Sequence, residues 1–153
     1  MVNQHATPRR AARVILVDTE GRVLLFRGGD PNRPEAGTWW FTVGGGLLPG
    51  ETPEAGAGRE LLEETGLRVS DVGPALFERE VAFEFGGRLF HQREQYFLVR
   101  CEPFAVSDAL WTSEERQVLQ EHRWWTVGDL QATGDTVYPE GLCEFVAGVL
   151  QGG

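Results

Sequence analysis

Two cysteines, Cys101 and Cys143, are the whole thiol inventory of this 153-residue chain. That number builds no disulfide framework and fits a reducing compartment. Basic charge is also scarce: 14 Lys and Arg against 23 Asp and Glu leave a net charge of −9, which argues against a nucleic-acid polymer read through a basic stripe. The same acidity is awkward for a polyphosphate ligand unless metal ions carry positive charge locally. No apolar run of about 18 residues occurs, so no membrane-crossing helix and no membrane partner are expected. The opening MVNQHATPRRAARVILVD holds arginines but no apolar core followed by a small-residue cleavage site. A cytoplasmic location is the expectation. Internal repeats, linkers and low-complexity stretches are missing too, so residues 1–153 read as one domain, with 1–10 as a loose polar arm. A chain of this length buries roughly 70% of its unfolded surface around a core.

What is present reads as a mixture of strands and helices without a regular βαβ repeat, which favours an α+β fold. Ala11–Val17 reads as a strand, Asp18-Thr19-Glu20-Gly21 as a turn, and Arg22–Arg27 as the hairpin partner. Trp39–Val43 is a short aromatic strand running into Gly44-Gly45-Gly46. Thr52 is a good N-cap, with Pro53 at the first helical position and Glu54 in the first turn. That helix should stop at Gly66, the expected left-handed C-terminal residue. Gly56 and Gly58 within it each cost about 1 kcal/mol relative to alanine, so it needs tertiary or metal contacts. Two further strands, Ala75–Phe85 and Arg88–Glu102, meet at Gly86-Gly87, a pair suited to a hairpin. A short helix from Ser113, a strand His122–Val127 and helices near Val127–Ala132 and Gly141–Leu150 complete the expectation.

The most restrictive feature is Gly45–Leu67, GGLLPGETPEAGAGRELLEETGL. Its pattern is G-x5-E-x7-R-E-L-x-E-E-x-G-L, filled by Gly45, Glu51, Arg59, Glu60, Leu61, Glu63, Glu64, Gly66 and Leu67. On a helix, residues three and four apart are neighbours, so Glu60, Glu63 and Glu64 share a face. Like charges so placed repel unless solvated or neutralised, and a hard divalent cation such as Mg²⁺ is the natural neutraliser. Arg59 could pair with Glu51 across the loop-to-helix junction and orient the carboxylates. A solvated acidic helix is what most glutamate-rich helices are, but it does not account for the glycines, Glu51 and Arg59 falling in register as well.

That stretch resembles the signature of the Nudix hydrolases. The resemblance implies a mixed β-sheet sandwiched between α-helices, with the motif forming a loop–helix–loop. It further implies an Mg²⁺- or Mn²⁺-dependent pyrophosphohydrolase cleaving the diphosphate linkage of a nucleoside di- or triphosphate or a related nucleotide derivative. Metal ligands are then expected at Glu60, Glu63 and Glu64, joined by the backbone carbonyl of Gly44. The strand feeding the motif commonly ends W-x-x-P-G-G in the family. Here Trp40-Phe41-Thr42-Val43-Gly44-Gly45 has valine for proline, which should alter the local turn and not the chemistry.

By the same resemblance the base that deprotonates water is Glu60 or Glu64, or a glutamate from outside the motif: Glu115, Glu94 or Glu121. Arg27 stands where the family often places a substrate-contacting arginine, and Trp40 is one of five tryptophans able to offer a stacking face to a base. Sub-signatures of the family's ADP-ribose, diadenosine polyphosphate and NADH hydrolases are missing, so no particular nucleotide is singled out. A non-catalytic nucleotide-sensing domain of the same fold is the alternative, although such domains typically lose motif glutamates that this chain keeps. A homodimer is left open by the sequence.

Overall fold

Burial on both faces of one strand organises this molecule, and its sequence shows why. In a computed structural model describing residues 6–152, β1 (Thr7–Asp18) carries the apolar run Val14–Val17, the pattern of a strand covered on two sides. Its Ala12, Val14 and Leu16 pack with Ala57 and Leu61 of helix α1 (Pro53–Thr65). Its Ile15 and Val17 pack with Leu130 of α3 (Val127–Ala132) and with Leu142 and Val146 of α4 (Leu142–Gly152). Two apolar clusters therefore sandwich a single sheet, the architecture that two-faced strands require.

The sheet has six strands. With β2 (Val23–Gly28), β3 (Trp39–Gly46), β4 (Phe77–Phe85), β5 (Arg88–Cys101) and β6 (Leu119–Trp125), its order is β4-β5-β1-β3-β2-β6. β1 and β5 run parallel from Thr7↔Phe90 to Asp18↔Cys101; the other pairings are antiparallel. Helix α2 (Ser113–Val118) precedes β6 and begins with a capping box between Thr112 and Glu115.

Three expectations change. Thr7–Arg10, read as part of a loose arm, belong to β1, because β5 offers a parallel backbone ladder along all of it; residues 1–5 of that arm lie outside the described residues. β1 and β2 share a turn but little of a hairpin: only Val17↔Val23 pair, since β3 inserts between them and takes both ladders. The valine at position 43 stands inside β3, which runs on to Gly46, paired with Ala11, so the chain is extended there and not in a turn.

Helix α1 forms as its caps dictate. Thr52 accepts from the Ala55 N–H at 3.1 Å, Pro53 starts the first turn, and Gly66 closes the helix at φ 85° with its N–H on the Leu62 carbonyl. Gly56 has a packing reason, since a Cβ there would collide with Leu47; Gly58 faces open space.

Candidate active site

The sheet lays β3 along α1, and the glycines of β3 allow the contact to be close. A Cβ on Gly45 would lie 2.7 Å from Glu60 Oε2, so only glycine lets that carboxylate rest on the strand. Gly44 sits at φ 139°, where a side chain would also strike the Ala12 carbonyl. Its N–H donates to Glu64 Oε1 at 3.0 Å. Its carbonyl, which the resemblance offers as a metal ligand, accepts one hydrogen bond, from Arg13 Nη1 at 3.0 Å. The strand and the helix are thus stitched together at the point where the carboxylates gather.

Arg59 is the hub of that point. Its Nε and Nη2 grip Glu51 Oε2 and Oε1 at 2.7 and 2.9 Å, a bidentate pair. Nη1 reaches both Glu60 Oε1 and Glu63 Oε1 at 3.2 Å, and Nη2 also donates to the Gly46 carbonyl. The Arg59 hydrogen bonds hold the Glu51 carboxyl below the usual carboxylate range, and Glu51 in turn raises the Arg59 guanidinium. One guanidinium therefore orients three carboxylates and ties the loop before α1 to the helix.

Oxygens of Glu60, Glu63 and Glu115 converge within 4.8 Å of one another. Glu115 comes from α2, outside the motif, while its Oε1 also caps that helix through the Thr112 N–H. Glu64 lies behind, 4% exposed. Burial pushes the Glu60 carboxyl up to about 7; Arg59 opposes the rise, and Glu115 and Glu63 add to it. Burial lifts Glu64 well above the ordinary carboxylate range, with Glu60 the next cause. Such crowding of hard oxygen donors is what Mg²⁺ or Mn²⁺ accepts and relieves, so the residues fit a divalent cation.

These groups line one cleft of about 920 Å³, within the usual size of a small-molecule site. Glu94 lines it too, buried on β5, where it accepts from Arg79, Gln92 and Tyr96 at 2.9, 2.7 and 2.8 Å and lies 3.5 Å from Arg13. Burial alone would lift its carboxyl, but Arg13, the Tyr96 hydroxyl and Arg79 outweigh burial and hold it low.

Three other sequence candidates sit apart from the cleft. Arg27 and Glu121 pair with each other at 2.6 Å and line a separate polar pocket. Trp40 borders that pocket but is 4% exposed, edge-on to Trp125 with its indole N–H on Asp135. Trp39, its neighbour on the opposite side of β3, lines the cleft instead. Sequence reasoning missed Arg9, Arg13, Arg79 and Gln92, which also line it. The available signal was the pair of arginines four apart, Arg9 and Arg13, in RRAARVILVD, which an extended strand sets on one face.

The family model for the NUDIX domain matches residues 7–145. Over 103 residues the chain is 46% identical to a Myxococcus xanthus protein named octanoyltransferase, covering 64% of this chain and 27% of that one. Over 73 residues it is 38% identical to an RNA pyrophosphohydrolase of Helicobacter pylori, covering 43% of this chain and 46% of that one. The chain thus spans less than half the length of each of these curated relatives. In structure it is similar to the MutT protein of Methanosarcina mazei Go1, with TM-score 0.66, 19% identity and 96% of each chain covered. That likeness concerns the fold.

Proposed function

The chain belongs to the NUDIX domain family, and on that premise we propose that it is a metal-dependent pyrophosphohydrolase that cleaves the diphosphate linkage of a nucleotide. The observation that carries this reading is the convergence of Glu60, Glu63 and Glu115 in the cleft, the first two oriented by Arg59. Those three carboxylates would hold the cation, with Glu64 behind them. When bound, a divalent cation polarises phosphoryl oxygens and lowers the pKa of water.

The chain's own groups supply the rest. Arg59 and Glu51 keep the helix face aimed at the cleft, so the carboxylates need not reorganise as charge develops. The water's proton would go to Glu60 or Glu64, buried carboxylates of the motif that line the cleft. Gly44 donates its N–H to Glu64 Oε1, which leaves Oε2 as that residue's proton-accepting atom. Arg9 and Arg13, on the far side of the glycine strand, bring positive charge to the same cleft in a chain of net charge −9.

The test is incubation with Mg²⁺ and a panel of nucleoside di- and triphosphates, ADP-ribose, a diadenosine polyphosphate and 5′-triphosphorylated RNA, scoring release of phosphate or pyrophosphate. Cleavage abolished by EDTA and restored by Mg²⁺ or Mn²⁺ is the expected result. Tight binding of one compound with no cleavage of any would assign a nucleotide-sensing domain instead.

A further inference from the structure

Beyond the acidic cluster the cleft continues over the other face of the sheet, where a regular array of side chains forms its floor. The parallel register sets Arg9 beside Gln92, Ala11 beside Glu94 and Arg13 beside Tyr96. Residues two apart on a strand share a face, so these six form one platform. On β3 the positions level with Ala11 and Arg13 are Gly46 and Gly44, which place no side chain over it.

Gln92 is the anomaly of the platform. It is 1% exposed and lines the cleft, yet its Oε1 has no hydrogen-bond partner among the described residues. Buried side-chain polar atoms are satisfied in the large majority of cases. Flipping the amide does not cure the fault, because Nε2 donates to Glu94 Oε2 at 2.7 Å. A carboxylate only accepts, so a flip would set oxygen against oxygen. Glu94 is itself held by Arg79 and the Tyr96 hydroxyl. The chain therefore holds an unpaired, buried carbonyl oxygen on a residue that lines its own cleft. Beside it Arg9 stands at the rim with its guanidinium against Gly46, and it forms no ion pair among the described residues.

We propose that Gln92 is a specificity-determining residue: its Oε1 accepts a hydrogen bond from an N–H or O–H of the nucleoside half of the substrate, laid on this platform while the diphosphate meets the acidic cluster. The inference rests on the nucleotide reading above. It adds a requirement that the acidic cluster does not impose, namely a donor at one position of the group beyond the diphosphate. A site that leaves an acceptor unpaired rejects analogues lacking that donor.

The experiment titrates wild type and Gln92→Met calorimetrically, with Mg²⁺, against analogues of ATP, GTP, CTP and UTP with methylene bridges at both phosphoanhydride positions. The tightest-bound nucleotide is then compared with counterparts that each lack one donor: 2′-deoxy, 3′-deoxy, deaminated and N-methylated. One deletion should weaken binding to wild type about 10- to 100-fold and leave the affinity of Gln92→Met unchanged. The proposal is overturned if each deletion weakens both proteins by the same factor, as a purely structural amide would give. Binding of none of the four analogues also overturns it. The wild-type series stands alone should Gln92→Met not fold, since insensitivity to every donor deletion is a refutation without the variant. Donor-specific binding together with no cleavage of the natural nucleotides would sink the hydrolase reading and leave this one standing.

Discussion

At the scale of single residues, the site is a set of carboxylates kept in surroundings that disfavour their charge. Glu60 and Glu64 have folded-state pKa values raised above the unfolded value by burial first. A carboxyl so raised contributes stability fully present below pH about 4.5 and lost as pH climbs through the folded value. Metal-free protein should therefore melt progressively lower between pH 5 and 8, and Mg²⁺ should restore more of the melting temperature at pH 8 than at pH 5. Melting temperatures that rise over that interval without metal would contradict the assignment. Glu64→Gln removes one of these buried charges. It should raise the metal-free melting temperature at pH 8 while lowering turnover about 10²- to 10⁴-fold, a range typical of losing an acid–base group. Wild-type turnover in that variant would remove Glu64 from the site. Each of these glutamates was legible from its spacing in the motif. Glu115 was legible only as one of three outside candidates, because what selects it over Glu94 and Glu121 is the position of α2 over the cleft.

At the scale of elements, α1 carries two internal glycines whose costs have different origins. A Cβ on Gly56 would push aside the Leu47 Cδ2 methyl, whereas Gly58 has nothing within 4 Å of such an atom. Gly58→Ala should accordingly stabilise the protein by roughly 0.5–1 kcal/mol in urea unfolding, the ordinary helix-propensity difference. Gly56→Ala should stabilise it less than Gly58→Ala does, because the Leu47 side chain must shift to make room. Equal effects of the two substitutions would show that packing over α1 does not distinguish them. Helix α1 was readable to its ends because its stop and start signals, Thr52, Pro53 and Gly66, are local. The β1–β2 hairpin is shorter than its sequence suggested because strand partners are chosen by non-local ladders, and β3 competes for both edges.

At the scale of the whole molecule, the mouth of the cleft is held by a clasp between distant segments. Asp30, 4% exposed, accepts from the Asn32 and Gly86 N–H groups at 2.9 Å each, and Arg33 lies 3.5 Å from Glu84. The loop between β2 and β3 is thereby tied to the β4–β5 turn. Asp30→Ala removes a buried carboxylate that accepts two hydrogen bonds, so it should cost about 1–3 kcal/mol of stability. It should also speed amide exchange in residues 29–38 and 84–88, and raise KM more than it lowers kcat. Unchanged exchange in both segments would show that the clasp does not govern the mouth. Taken alone, the sequence determined the helix that bears the glutamates, the pairing of Arg59 with Glu51, and the mixed α+β class. These rest on spacing and capping, which act within a few turns of chain. Tertiary structure alone decided that Glu115 joins Glu60 and Glu63, that Trp39 and not Trp40 faces the cleft, and that Arg9, Gln92 and Glu94 share one floor. Those outcomes depend on which strands pair and in what register, and a ladder is chosen by competition among edges far apart in the chain.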